Sequence, residues 1–161
     1  MESNINNFEI AKVITPELIS IDLKAVTKEE AIEELTELLF MHGDVIKRKE
    51  FKEDVMQRET EGMTGLGQGV AIPHGKSKAV KNTTLAVGIS HHKIAWETLD
   101  NEPVTIVILF AVKDTDANTL HIRLLQKVAI LLADEAFIAG LHRVRTKEEV
   151  LELLSQNPKE E

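Results

Sequence analysis

Residues 104–112 read Val-Thr-Ile-Val-Ile-Leu-Phe-Ala-Val, an almost unbroken apolar run. Its β-branched content and length predict a strand, and side chains alternate between the two sides of a strand. A strand that is apolar on both sides is covered on both faces. Helical patterns flank it. Downstream, Asp114 to Asn118 offers caps for a helix over about 119–133, and a short helix is expected over 134–142. Thr146-Lys147-Glu148-Glu149 then opens a last capped helix carrying Val150, Leu151 and Leu154, ending near Asn157-Pro158. Upstream, β-type runs occupy 83–90 and 70–72. Thr27-Lys28-Glu29-Glu30 is a capping box, followed at helical spacing by Ala31, Ile32, Leu35, Leu38, Leu39 and His42, with Gly43 as the stop. A second helix is expected from Lys47 to about Glu59, with Phe51 and Val55 inward. Helices before, between and after strands imply an α/β sandwich around a central sheet, with strand order left open.

The chain of 161 residues suits a single domain, 1–161, with a core of about 10–155 after a loose polar start at 1–8. No apolar run approaches the roughly 20 residues of a membrane span, and residues 1–7 lack the basic and apolar parts of a signal peptide. A cytoplasmic location is therefore expected. Cysteine is absent, which excludes disulfides, zinc fingers and thiol nucleophiles. A formal charge of −8 argues against nucleic acid and suits encounters with basic partners. No His-x-x-x-His pair occurs, and the rings of His91 and His92 diverge if their strand continues, so no metal or other cofactor is expected.

The texture changes between residues 58 and 76. Gly62, Gly65, Gly67 and Gly69 fall within eight residues, which no regular helix tolerates. The segment reads as a flexible glycine stretch leading into a short buried strand that ends at Pro73 and His74. Proline fixes its own φ and biases Ile72 towards extended geometry, so a sharp turn is expected at His74. Gly75 then leaves the imidazole uncrowded. Imidazole titrates near neutrality, which makes an unprotonated ring nitrogen a usable nucleophile. An ordinary turn histidine has the same local sequence. Two nucleotide-binding patterns fail on inspection. Gly69 to Ser77 has one residue too many for a phosphate loop and places Pro73 where an amide donor is needed. Gly65-Leu66-Gly67-Gln68-Gly69 precedes a strand where a dinucleotide fingerprint follows one.

A phosphoryl group carries charge on its non-bridging oxygens, so a site that transfers it needs donors and cations. His121 shares a helix face with Leu125, Val128 and Leu132 but sits in the first turn, where free amides and the positive end of the dipole lie. Arg58 ends a helix just before the glycines, and guanidinium can fork onto two oxygens. Lys76 and Lys78 add a mild positive field or are simply solvated. Taken singly, His121 also reads as a half-buried residue capping its helix face, and Arg58 as a surface residue at its own helix C-terminus. His42 and His142 read as helix-end residues favourable to the dipole. Met63, Leu66 and Val70 are apolar loop residues suited to a docking surface or equally to the core.

Together, Arg58-Glu59, Thr64-Gly65, the run Gly69-Val70-Ala71-Ile72-Pro73-His74-Gly75 and His121 resemble the enzyme IIA domain of the bacterial sugar phosphotransferase system, fructose/mannitol type. Trp96-Glu97-Thr98-Leu99-Asp100, followed by Pro103-Val104, is similar to the fructose branch. The resemblance covers nearly all of residues 10–155. It implies a three-layer α/β sandwich, a central mixed β-sheet flanked by helices on both faces. It also implies that His74 accepts phosphate at Nε2 from the phosphohistidine of the carrier HPr, with His121 and Arg58 nearby. His74 would pass the group to a cysteine or histidine of an enzyme IIB domain, with the membrane reached only through a IIC permease. Related IIA-like proteins of the nitrogen type regulate without moving sugar.

Overall fold

The computed structural model describes residues 14–115 and 120–156, the side chains of 120–122 excepted. The polar start, the caps over 116–118 and the stop at Asn157-Pro158 lie outside the described residues. After a short 3-10 turn at Pro16–Leu18, the elements run β1 (Ile19–Ser20), α1 (Lys28–Met41), α2 (Arg48–Glu59), β2 (Gly65–Gly67), β3 (Val70–Ala71) and β4 (His74–Ser77). There follow β5 (Thr84–Ile94), β6 (Val104–Lys113), α3 (Leu120–Leu132), α4 (Glu135–Leu141) and α5 (Lys147–Leu154).

The apolar run at 104–112 is the axis of the sheet. β6 pairs antiparallel with β5 along one side, and along the other with β3 and then β4, both parallel. β1 extends the sheet parallel to β5, and β2 closes it antiparallel to β3. The sheet is therefore mixed, with six strands. Both alternating sets of β6 are buried, Val107, Leu109 and Ala111 as fully as Ile106, Ile108 and Phe110. That requires two covering layers. α1 and α2 pack on each other and on β4, β5 and β6, while α3, α4 and α5 pack in succession as the second layer.

Local chemistry sets the helix ends. In α5 the expected capping box is complete, Thr146 and Glu149 bonding each other's backbone. In α1 it is shifted: the Thr27 hydroxyl accepts from the Glu30 amide at 3.2 Å, but the Glu30 carboxylate reaches the Val26 amide at 2.9 Å, one residue further back. The result is the same, an extra donor satisfied at the helix entry. His42 and His142 are the C-caps of α1 and α4, as expected.

Three sequence expectations need correcting. The glycine segment is largely ordered ladder: Gly65–Gly67 forms β2, which turns through Gln68 and Gly69, both at positive φ, into β3. The chain does not turn sharply at His74. The Phe110 amide bonds the Pro73 carbonyl at 3.0 Å, so backbone pairing to β6 resumes at once and His74 opens β4. Proline interrupts the ladder only at its own missing N–H. Finally, β5 continues to Ile94, past the expected end at Ser90, leaving His91 and His92 exposed.

Candidate functional site

His74 stands where β4 begins, half-buried, between the end of α2 and the glycine segment. Its neighbour Gly75 faces the other way. A Cβ there would lie 2.6 Å from Val55 Cγ2 and 3.2 Å from Phe51 Cε1. Gly75 is thus required by the close approach of α2 to β4, and its expected role of clearing space around the imidazole is replaced by this one. The consequence for His74 is firm anchorage: α2 is pressed onto the strand beside it, and α2 ends at Arg58-Glu59.

Nδ1 of His74 lies 3.4 Å from the Ile72 carbonyl. A carbonyl can only accept, so this long hydrogen bond assigns the proton to Nδ1 and leaves the lone pair on Nε2. Among the described residues Nε2 has no partner. Burial lowers the His74 pKa below the ordinary histidine value. The Ile72 bond opposes this, the Arg58 charge reinforces it, and Glu59 and Glu61 oppose it more weakly. The ring is therefore neutral at pH 7, with Nε2 unprotonated.

Arg58, in the last turn of α2, carries a buried Nη1 without a hydrogen-bond partner. A buried guanidinium donor left unpaired costs stability, so the position is poised to accept an anion's oxygen. His121 lies in the first turn of α3, as its sequence spacing predicted, but its side chain is outside the described residues. Lys76 and Lys78 are exposed.

A second tier behind the histidine escaped sequence reasoning. Glu59 is almost fully buried, its side chain 3% exposed, and one carboxylate oxygen lies 3.3 Å from Lys28 Nζ. The other accepts from the Thr64 hydroxyl at 2.7 Å. Trp96 Nε1 donates to that hydroxyl at 3.3 Å, and Lys28 also holds Glu97 at 2.8 Å. The Thr64 carbonyl accepts from the Ile72 amide at 2.9 Å, and the Ile72 carbonyl is the one facing His74. A continuous path thus runs from Lys28 through Glu59, Thr64 and Ile72 to the imidazole. A buried acid demands a partner, which was the available signal, but nothing local to Glu59 points to a lysine 31 positions earlier.

The Trp96 segment braces the glycine segment from outside. The Leu99 amide bonds the Gly65 carbonyl at 3.2 Å, and Asp100 accepts from the Gln68 amide at 3.0 Å, the main reason its pKa is lowered. Of the three apolar residues expected at a docking surface, Met63 and Leu66 are exposed, whereas Val70 is 1% exposed and belongs to the core.

The family model for the phosphoenolpyruvate-dependent sugar phosphotransferase system, EIIA 2, matches residues 12–157. The chain belongs to this family. The IIA domain is 36% identical over 137 residues to the 2-O-alpha-mannosyl-D-glycerate-specific EIIABC component of Escherichia coli, matching 84% of this chain. It spans only 21% of that protein's length. It is 32% identical to the fructose-specific EIIA component of Haloferax volcanii, covering 89% of this chain and 93% of that one. Among solved structures it matches the nitrogen regulatory protein IIA-Ntr of Neisseria meningitidis with a TM-score of 0.82 at 30% identity, over 90% of this chain and 98% of that one. The mannitol IIA of Escherichia coli, solved in complex with phosphorylated IIB, matches with a TM-score of 0.73 at 28% identity, over 88% of this chain and 96% of that one. These likenesses bear out the expected family and the mixed-sheet sandwich. Relatives of both the sugar and the nitrogen-regulatory kinds are present. No helix among the described residues is long and apolar enough to cross a membrane.

Proposed function

We propose that this IIA domain is a phosphocarrier in which His74 Nε2 takes a phosphoryl group from the phosphohistidine of HPr and passes it to a cysteine or histidine of a cognate IIB. The observation that carries the reading is the pairing of a neutral imidazole, its Nδ1–H turned to the Ile72 carbonyl, with the unpartnered buried Nη1 of Arg58. In the forward step Nε2 attacks phosphorus, the donor's P–N bond breaks, and the donor imidazole leaves with the bonding pair and is protonated. The new group brings a charge of about −1.5 to −2. Arg58 and His121 offset it, and a docked partner surface keeps water out during transfer. Met63 and Leu66 contribute to that surface. The pathway is uptake of fructose or a related sugar, in keeping with the Haloferax fructose-specific relative. The membrane is reached only through a IIC permease.

Incubation with phosphoenolpyruvate, enzyme I and HPr should place an acid-labile, base-stable phosphate on the chain, and His74→Ala should abolish it. Full labelling of that variant ends the reading. A second reading, in which this chain is a regulatory domain of the nitrogen type acting by phosphorylation-dependent protein binding, is supported by the TM-score of 0.82 to the nitrogen regulatory protein IIA-Ntr. The two part on one measurement. The sugar reading requires phosphoryl transfer from phosphorylated His74 to a purified fructose-type IIB. The regulatory reading requires no transfer and a partner complex that differs between His74→Ala and His74→Glu.

A further inference from the structure

A basic, partly apolar surface lies at the far end of α2 from His74. The loop after α1 and the turn after β4 meet there: the Ile46 amide bonds the Ala79 carbonyl at 2.8 Å, Val45 pairs antiparallel with Val80, and the Lys81 amide bonds the Asp44 carbonyl at 2.7 Å. This short ladder brings two basic segments together. Lys47, Arg48 and Lys49 come from one side, Lys78 and Lys81 from the other, and all five are exposed. Met41 ends α1 just before this ladder and Ile46 lies in it, and they are 73% and 54% exposed.

Four of these five cations, Lys47, Lys49, Lys78 and Lys81, make no ion pair among the described residues, whereas Arg48 is held by Glu37 at 2.7 Å and stacks on Phe40. Lys47 is the N-cap of α2 without a side-chain cap bond, and Arg48 and Lys49 occupy its first turn, where the helix dipole disfavours positive charge. The one acid within the ladder, Asp44, is buried and bonded to His42 and Asn82, so it neutralises nothing at the surface. Glu50 and Glu53 bound the patch one turn along α2. A concentrated positive, partly apolar surface on a chain of net charge −8 is complementary to an acidic partner.

We propose that this surface docks an acidic segment of a partner protein whose apolar side chains cover Met41 and Ile46. A protein segment is favoured over a lipid surface or a nucleic acid by the neighbouring charge. The acidic row Glu29, Glu33 and Glu37 of α1 runs directly alongside α2, so an extended anionic surface laid on the lysines would also meet carboxylates. A confined segment touches only the patch. α2 spans about 18 Å, and the four residues of β4 place Lys78 about 13 Å from His74, so a confined segment seated here does not cover the imidazole. The proposal does not depend on the chemistry assigned to His74.

The test uses the whole chain and a fluorescein-labelled amphipathic peptide with glutamate on one helical face and leucine on the other. Fluorescence anisotropy should show binding that weakens with salt, and amide chemical-shift changes should cluster at 41–49 and 78–81. The variant Lys47→Glu/Lys49→Glu/Lys78→Glu/Lys81→Glu should bind about tenfold more weakly or worse. A matched variant, Lys93→Glu/Arg143→Glu/Arg145→Glu/Lys147→Glu, changes net charge equally and should keep binding. Circular dichroism confirms that both remain folded. Equal loss in the two variants reduces the effect to net charge and overturns the proposal, as does absence of peptide binding. Tighter, patch-dependent binding to phosphatidylserine vesicles or duplex DNA overturns it in favour of those surfaces.

Discussion

Replacing Lys28 with alanine removes the only cation within ion-pair distance of the buried Glu59 carboxylate among the described residues. Breaking a buried pair by deleting one member costs about 3–5 kcal/mol when the remaining charge is stranded. Two features reduce this here. The Thr64 hydroxyl still donates to Glu59, and the Lys28 side chain is 20% exposed, so water can enter where the ammonium was. The contact of Lys28 with Trp96 adds little, because the ammonium is 6.0 Å from the ring centroid. Lys28 is also the first residue of α1, where loss of a cation is mildly favourable. The expected loss is about 2 kcal/mol, or roughly 4–8 °C in Tm for a domain of this size. Urea unfolding of the single variants, Glu59→Gln and the double variant gives the coupling directly, expected at about 1–2 kcal/mol. Lys28→Arg should restore most of the stability. A loss below about 0.5 kcal/mol, or strict additivity in the cycle, refutes the idea that Lys28 supports the histidine through Glu59 and Thr64.

Three further outcomes are expected. Gly75→Ala forces a methyl to 2.6 Å from Val55 Cγ2 and should cost about 1–3 kcal/mol, read by denaturant unfolding; Val55→Ala in the same chain should recover part of it. Because burial lowers the His74 pKa in the folded state, the unfolded chain binds more protons between that value and about 6.5. Stability should therefore fall as pH drops through this window and level off below it, and His74→Gln should flatten that part of the stability–pH curve. Arg58→Ala should slow phosphoryl acceptance on the order of a hundredfold while leaving folding stability nearly unchanged, since the lost Nη1 has no protein partner. Arg58→Lys should rescue little, because an ammonium cannot fork onto two oxygens, and single-turnover labelling would show it.

What the sequence revealed and what it hid divide along contact distance. The strand at 104–112, the inward Phe51 and Val55, and the caps at Thr27 and Thr146 are matters of local period and local hydrogen bonding. They appear in the structure nearly as read. His74 and Arg58 could be singled out as candidates because they lie within one stretch of sequence. Glycine was the misleading signal. Gly65 reads as part of a flexible stretch and Gly75 as space for the imidazole, yet both are places where another part of the chain presses close, Glu97-Thr98 on one and α2 on the other. Composition records the missing side chain but not what takes its place. Lys28 was hidden for a similar reason, since a cap residue and a buried ion-pair partner look alike until α1 is laid beside the end of α2.

The interruption at Ile72-Pro73 has a bearing on association between copies of the chain. Among the described residues β4 pairs with β6 on one side only, and its other edge has no strand partner. Exposed edges template β-aggregation unless they are short, charged or broken. β4 has four residues, carries the exposed Lys76, and follows a proline that can donate no amide. At the opposite margin β1 has two residues, and the β2–β3 pair is disrupted by a register shift between Gly65 and Gly67. Among the described residues each of these outer strands, β4, β1 and β2, is therefore short, at four, two and three residues. The break at Pro73 that precedes the candidate histidine thus also shortens the edge beside it, so a protein meeting that edge finds little backbone to pair with.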